Sequence, residues 1–260
     1  MTDHPWIYLS PTECHGSHDG GWKQSLEPAT DLPATSLVMD NLPAKVFETH
    51  RVGILLMDDL LHPLRLKLDQ PAKPAELKPF LSWKLKRYLS YPIDKAEIRF
   101  MPLEEEHNYV TFSLPRPWVD GLFQALKTKG VHCGYIGGLF STLLEKTRLC
   151  WNSFSIAFFD QIYLFAEVAP NGKLLQFRTR RLPFGHDGSL DVATLAHSDL
   201  EAFLRADKTG KKVQVLNFSP DLQPHLAALQ RELNQFRKDV VVPQLAGPAL
   251  DRFITLMGTQ

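Results

Sequence analysis

Apolar residues recur along this chain with two different periods. Leu64-Arg65-Leu66-Lys67-Leu68 alternates apolar and basic, the period of a half-buried strand. Arg51 to Met57 is apolar after its first residue, the pattern of a strand buried on both faces. Between Lys73 and Ser90 the period changes. Leu77, Phe80, Leu81, Leu85, Tyr88 and Leu89 fall at i, i+3, i+4, i+8, i+11 and i+12, which predicts a helix that packs Leu77, Phe80, Leu81, Leu85 and Leu89 inward. Pro74 suits its first turn, and Pro92 ends it.

The same reading extends to the rest of the chain. Trp6 to Leu9 predicts a first strand. The polar, Gly-rich stretch from Ser10 to Gly21 reads as a loop, and Glu27 to Asp40, with Pro28 and Pro33, as weakly structured. Ala96 to Leu103 and Asn108 to Leu114 are strands around the acidic turn Glu104-Glu105-Glu106. A helix from Pro117 to Lys129 stops at Gly130, and a strand, Val131 to Ile136, and a helix, Gly138 to Arg148, follow. Phe154 to Val168 and Lys173 to Arg181 read as two strands joined by Pro170-Asn171-Gly172. Leu190 to Ala206 predicts a helix. The chain then reads strand (Val213 to Phe218), helix (Pro220 to Asn234), strand (Val240 to Val242) and helix (Pro248 to Met257). No short-period repeat or low-complexity segment interrupts this α/β order.

Composition narrows the function. The chain has 29 Lys+Arg and 29 Asp+Glu, so no global field draws in nucleic acid or an anionic membrane, although a local basic patch is compatible with that balance. The 3 cysteines, Cys14, Cys133 and Cys150, form no disulfide framework and fit a reducing compartment. Met1-Thr2-Asp3-His4-Pro5 does not read as a signal peptide. The apolar run Phe154 to Ala169 is broken by Asp160, Gln161 and Glu167, short of the roughly 20 residues that span a bilayer. The expected location is cytoplasmic, with any membrane association passing through a partner.

Each candidate constellation has a simpler structural explanation. Cys14-His15-x-x-His18-Asp19 holds plausible zinc ligands, but its spacing matches no standard site, so no metal is assigned. Asp207-Lys208-Thr209-Gly210-Lys211-Lys212 lacks P-loop spacing and precedes a strand, whereas a phosphate cradle follows one. Asp58-Asp59 and Glu104-Glu105-Glu106-His107 could supply acid or base groups, yet charged turns account for them. Gly134-x-x-Gly137-Gly138 is too loose for a dinucleotide fingerprint. Cys133 reads as a buried, inert thiol, and Arg178-Thr179-Arg180-Arg181 as a solvated strand end able to meet an acidic partner.

The order of elements carries a resemblance. The long helix ends in Arg87-Tyr88-Leu89-Ser90-Tyr91-Pro92-Ile93-Asp94. Tyr109-Val110-Thr111-Phe112 follows, then the helix Trp118 to Lys129 with its Lys129-Gly130-Val131 end. The hairpin segment runs Asn171-Gly172-Lys173-Leu174-Leu175-Gln176-Phe177-Arg178-Thr179-Arg180-Arg181-Leu182-Pro183. Over residues 48 to 183 this resembles the PilM family of type IV pilus assembly proteins and, more distantly, the cytoplasmic part of GspL in type II secretion. Both are actin-like. The resemblance implies a reduced actin-like (ribonuclease H-like) α/β fold. Residues 1–72 would form an N-terminal subdomain, 73–136 an inserted small α/β subdomain, and 137–260 a second actin-like subdomain.

The departures from that family point away from catalysis. Actin-like nucleotide binders carry an Asp and Gly-rich turn after the first strand, where this chain has Leu9-Ser10-Pro11, and Pro11 offers no backbone donor. A second Asp-x-Gly turn is replaced by Phe158-Phe159-Asp160-Gln161, with bulky side chains where backbone must approach phosphate. A Gly-Gly turn is replaced by Leu216-Asn217-Phe218-Ser219-Pro220. The resemblance therefore implies a non-enzymatic scaffold without a cofactor. It would bind the cytoplasmic tail of a PilN-like inner-membrane protein and link it to the assembly ATPase, and pairing as a homodimer is compatible with that role. Neither nucleic-acid binding nor direct membrane insertion is expected. The expected partner surface comprises the helix Lys73 to Ser90, the strand Asn108 to Leu114 and the helix Trp118 to Lys129, with Arg87, Tyr88, Tyr91 and Trp118 as anchors. The alternatives are an active actin-like ATPase or kinase with an altered nucleotide site, and an unrelated small-molecule enzyme.

Overall fold

A computed structural model describes residues 5–17, 21–27, 32–159, 162–186, 189–206, 211–218, 220–236 and 240–241. The chain divides into two compact units, with the division after Lys146. The first contains a mixed five-stranded sheet. Strands β1 (Trp6–Leu9), β2 (Glu13–Gly16) and β3 (Trp22–Ser25) form an antiparallel meander. β4 (Arg51–Leu56) lies parallel to β1 on its other side, and β8 (His132–Gly138) lies parallel to β4. The resulting order is β3-β2-β1-β4-β8.

Two expectations fail at the start of the chain. Ser10 to Gly21 is not a loop, because β2 and the turn before it lie within it and pair back onto β1. The stretch with Pro33 contains helix α1 (Thr35–Asn41), whose Val38 is buried.

Between β4 and β8 the chain builds a separate three-stranded antiparallel sheet. β5 (Leu64–Lys67) and β6 (Ala96–Pro102) flank β7 (Asn108–Pro115). This sheet begins at Leu64, inside the stretch assigned above to the N-terminal subdomain, and β8 returns to the first sheet before residue 137. Helix α2 (Pro74–Leu85) covers the small sheet, burying Leu81 and Leu85 against Leu66, Leu68, Ala96 and Ile98. Phe80 does not face inward as its spacing predicts. It is 50% exposed, and its neighbour Trp83 is 73% exposed. Leu77, Leu81 and Leu85 already fill the contact with the sheet, so α2 has apolar residues on two faces and buries one.

Helix α3 (Arg116–Thr128) follows β7 and buries Val119, Leu122 and Leu126. It ends at Gly130, whose φ of +80° favours glycine. Helix α4 (Leu139–Lys146) starts directly at the end of β8.

The second unit repeats the strand order of the first. β9 (Ser153–Phe158), β10 (Ile162–Val168) and β11 (Leu174–Arg181) form an antiparallel meander. β12 (Lys212–Asn217) is parallel to β9, and β13 (Val240–Val241) is parallel to β12. The order β11-β10-β9-β12-β13 thus matches β3-β2-β1-β4-β8 position for position. The run Phe154 to Val168, expected as one strand, is two, and Tyr163 pairs back onto Phe158. A helical stretch from Val192 to Ala206, made of α5 (Val192–Leu195), one π turn and α6 (Glu201–Ala206), packs with α7 (Leu226–Phe236) over this sheet. Phe154, Ile156, Phe158, Tyr163, Phe165, Leu195, Leu200, Leu229 and Leu233 form the core there. The helix expected over Pro248 to Met257 lies outside the described residues. Among the described residues, no helix is long and apolar enough to cross a membrane.

Candidate functional site

The turn after β1 uses up its own hydrogen-bond donors. The Ser10 hydroxyl accepts the backbone N–H of Glu13 at 3.0 Å and of Thr12 at 3.4 Å, while the Ser10 N–H donates to the Glu13 carbonyl at 2.9 Å. Pro11 has no N–H. A phosphate cradle needs several converging backbone donors, and this turn has already paired those of Ser10, Thr12 and Glu13 internally.

In the second unit, Phe159 follows β9 and Phe218 follows β12. Both are buried, and their rings stack with centroids 5.2 Å apart at an interplanar angle of 15°. The N–H of Phe159 bonds the Ile162 carbonyl at 2.9 Å, and that of Phe218 bonds the Phe158 carbonyl at 2.9 Å. The ends of β9 and β12 are thus packed together by one aromatic pair. Asp160, Gln161 and Ser219 lie outside the described residues.

The first unit contains a cleft of about 70 Å³ between the small sheet and the end of β8. Glu97, Arg99 and Met101 of β6, Phe112 of β7, Val119 of α3, Tyr135 of β8 and Ser141 and Glu145 of α4 are among its walls. The Tyr135 ring is the centre of its polar side. The Arg99 guanidinium lies 5.7 Å and the Lys146 ammonium 5.9 Å from its centroid. Its hydroxyl shares a 2.8 Å hydrogen bond with Thr142.

Beneath this cleft sits Asp58, which is fully buried. Its Oδ2 accepts the N–H of Phe140 at 2.7 Å and its Oδ1 that of Ser141 at 2.8 Å, so it caps α4. Burial pushes its carboxyl up to about 6, against the lowering effect of those hydrogen bonds. Gly138 is required here because a Cβ would collide with Asp58 Oδ1. Gly134-x-x-Gly137-Gly138 thus lies within and at the end of β8, in a packing role.

The other candidates resolve as follows. Cys14 and His15 lie on β2 rather than in a loop, so they point to opposite faces of the strand. His15 meets Glu13 at 2.7 Å, and Lys23 also contacts Glu13. Burial raises the Glu13 carboxyl, but hydrogen bonds from Lys23 and His15 hold it below the usual range. His18 and Asp19 lie outside the described residues, as do Asp207 to Gly210. Among the described residues, no group of three His, Cys, Asp or Glu side chains could hold a metal. Burial pushes the Cys133 thiol up to about 11, far from a reactive thiolate. Glu105 pairs with Arg65 at 2.5 Å. Arg178 to Arg181 lie on β11, a sheet edge that charge protects from further pairing.

Of the four expected anchors, Arg87 and Tyr88 are exposed and stacked, with the guanidinium 4.9 Å from the ring centroid. Tyr91 is partly buried against the core of the small sheet. The Trp118 indole donates to the Pro33 carbonyl at 2.7 Å, tying α3 to the segment before α1. None of the four lines the cleft at Tyr135. Two of the expected walls, Asn108 to Leu114 and Trp118 to Lys129, do border this cleft through Phe112, Ser113, Leu114 and Val119, whereas its Tyr135 side went unread because no local pattern links it to them.

Two sheets of one strand order, with a small antiparallel sheet inserted into the first unit, define the actin-like fold, and this chain has it. Solved structures similar to it include a PilM–PilN type IV pilus biogenesis complex, with 14% identity over 98% of each chain and a TM-score of 0.61. It is also similar to the cytoplasmic domain of EpsL, an inner-membrane component of the type II secretion system of Vibrio cholerae. That match has 10% identity, 99% of this chain, 95% of that one and a TM-score of 0.57. A Bacteroides thetaiotaomicron protein with an actin-like ATPase fold and unknown function matches with 12% identity, 96% and 94% coverage and a TM-score of 0.58. No family model matches the chain, and no curated protein matches it in sequence.

Proposed function

We propose that this chain is a non-enzymatic cytoplasmic scaffold of a type IV pilus or type II secretion assembly platform. It binds the cytoplasmic tail of a PilN-like inner-membrane protein and links it to the assembly ATPase. The membrane association is peripheral, through that partner. The observation that carries the reading is the closed β1–β2 turn, in which Ser10 takes the donors a phosphate would need. The stacked Phe159 and Phe218 support it in the second unit. The similarity to PilM and EpsL structures supports the assembly role.

The cleft at Tyr135 suits one anchoring side chain of an extended tail. Phe112, Val119 and Met101 supply an apolar floor, and Arg99 and Glu97 supply charge at the mouth. The test uses a labelled peptide covering the cytoplasmic tail of the PilN-like protein encoded in the same genome. Fluorescence polarisation should show saturable binding to the wild type that Arg99→Ala and Val119→Trp weaken. Binding that is absent, or unchanged in both folded variants, overturns the assignment.

The buried carboxylate Asp58 is the feature that an enzyme reading would invoke. It is shut off from solvent and caps α4 through both oxygens, which supports a structural role for it.

A further inference from the structure

Helix α2 has a second apolar face that nothing in the small sheet covers. Phe80 and Trp83 lie at i and i+3, and Arg87 follows Trp83 at i+4 in the turn beyond the helix. Trp83 is 73% exposed, Phe80 50% and Tyr88 54%. These are three of the most exposed large apolar side chains among the described residues, and they sit within nine positions of one another. Isolated surface hydrophobics are ordinary, but a cluster on one helix face is not.

The charge around this cluster is mostly basic, although Asp69 and Glu76 line the groove beside Phe80 and Trp83. Between residues 73 and 88 the chain carries Lys73, Lys78, Lys84, Lys86 and Arg87 against the single acid Glu76. Lys84 is neutralised by Asp69 at 2.8 Å and also donates to the Lys67 carbonyl, so it belongs to the fold. Lys86 and Arg87 are exposed beside the aromatics. A chain with zero net charge thus concentrates cations where it concentrates exposed aromatic surface. Phe80 and Trp83 on the outer side of α2, with Lys86, Arg87 and Tyr88 in the turn that follows it, give the mix of aromatics and cations that suits the headgroup layer of an anionic leaflet. Each cation near such a surface contributes favourably, and the aromatic rings bury apolar area at the headgroup level. An acidic protein segment would offer the same charge, but the groove beside Phe80 and Trp83 is lined by Asp69 and Glu76, which would repel acidic side chains seated in it, whereas a planar leaflet meets only the protruding tips. The most exposed side chain here, Trp83, stands out from the surface and can enter a headgroup layer.

We propose that the outer side of α2, with Phe80 and Trp83, together with Lys86, Arg87 and Tyr88 of the turn that follows it, binds anionic phospholipid headgroups. This adds a direct, weak membrane contact to the partner-mediated one, and it stands whether or not the partner assignment holds. Glu76, on the same face as Phe80, opposes the attraction.

Co-sedimentation of the whole chain with vesicles tests it. One set contains equal parts phosphatidylcholine and phosphatidylglycerol, and the other contains phosphatidylcholine alone. Binding is expected to the first set only and to fall as salt is raised. Replacing Lys86 and Arg87 together by Ala should weaken partitioning on the order of thirtyfold, the contribution of two cations at an anionic leaflet. Trp83→Ser should weaken it as well, and Glu76→Lys should strengthen it. These positions are exposed, so the variants should keep the circular dichroism spectrum of the wild type. Tryptophan emission should shift to shorter wavelength on adding anionic vesicles in the wild type but not in Trp83→Phe. Wild-type chain that stays in the supernatant with both vesicle types overturns the proposal. So does binding that Lys86, Arg87 and Trp83 variants leave unchanged. In either case the face serves a protein partner or a second copy.

Discussion

Asp58 and Ser141 are joined across 83 positions of sequence by a 2.8 Å hydrogen bond from the Ser141 N–H to the buried Asp58 carboxylate. The bond holds the end of β4 to the start of α4, beside the cleft that Tyr135 lines. Its energetic signature is a dependence on pH. The folded pKa of Asp58 is raised from 3.8 to about 6, so the folded state binds more protons than the unfolded chain between these values. The contribution of Asp58 to stability is therefore fully present below about pH 4 and is lost as pH rises through about 6. A shift of this size corresponds to roughly 3 kcal/mol. Asp58→Asn should remove that component. The stability difference between wild type and variant, measured by urea unfolding across pH 4 to 7, should change by a few kcal/mol in that window. A flat difference would show that the carboxylate does not titrate there.

The aromatic pair at the ends of β9 and β12 should be a stability element. Phe159→Ala or Phe218→Ala creates a cavity and should cost about 3–5 kcal/mol. A double-mutant cycle should give a coupling of about 0.5–1.5 kcal/mol beyond simple burial. Additive losses would mean that the stacked contact contributes nothing of its own.

On α2 the two faces should separate. Leu81→Ala and Leu85→Ala should each cost about 2–5 kcal/mol, because both side chains are buried on the small sheet. Phe80→Ala should change stability by less than about 0.5 kcal/mol, as an exposed position does. Denaturant midpoints read the contrast directly. Equal losses at Phe80 and Leu81 would place both in the core.

A third structural position is Gly172, in the turn between β10 and β11. It has a φ of +81°, and a Cβ there would fall 2.5 Å from the Trp151 indole. Gly172→Ala should cost more than about 1 kcal/mol, from the positive φ and from the displaced ring together. Thermal unfolding of Gly172→Ala beside Trp151→Ala, Gly172→Ala checks how much of the loss belongs to the ring.

Much of the framework was legible in local pattern. The alternation at Leu64 to Leu68, the buried run at Arg51 to Leu56 and the turn at Asn171-Gly172 each correspond to an observed strand or hairpin. The strands β2 and β3 were not legible. They are four residues each, and their Gly, Ser and His content reads as a loop until pairing with β1 supplies the hydrogen bonds. The split of Phe154 to Val168 into two strands was signalled only by Asp160-Gln161, a two-residue interruption that the apolar runs on either side outweigh. The repeated strand order of the two units was invisible for a different reason. It is a property of connectivity, and unrelated side chains satisfy it in each sheet. The absence of glycine from Leu9-Ser10-Pro11, Phe158-Phe159-Asp160-Gln161 and Leu216-Asn217-Phe218-Ser219-Pro220 was legible, but the mutual stacking of Phe159 and Phe218 was not, since 59 positions separate them. The meeting of Tyr135 with the expected walls Asn108 to Leu114 and Trp118 to Lys129 was illegible in the same way.

The central claim is that the nucleotide turns of the actin-like fold are closed in this chain. Isothermal titration of the whole chain with ATP and magnesium tests it most directly. The account predicts no saturable heat at any practical concentration, and no rise in thermal midpoint with added ATP. Micromolar affinity, accompanied by the matching thermal shift, would contradict it.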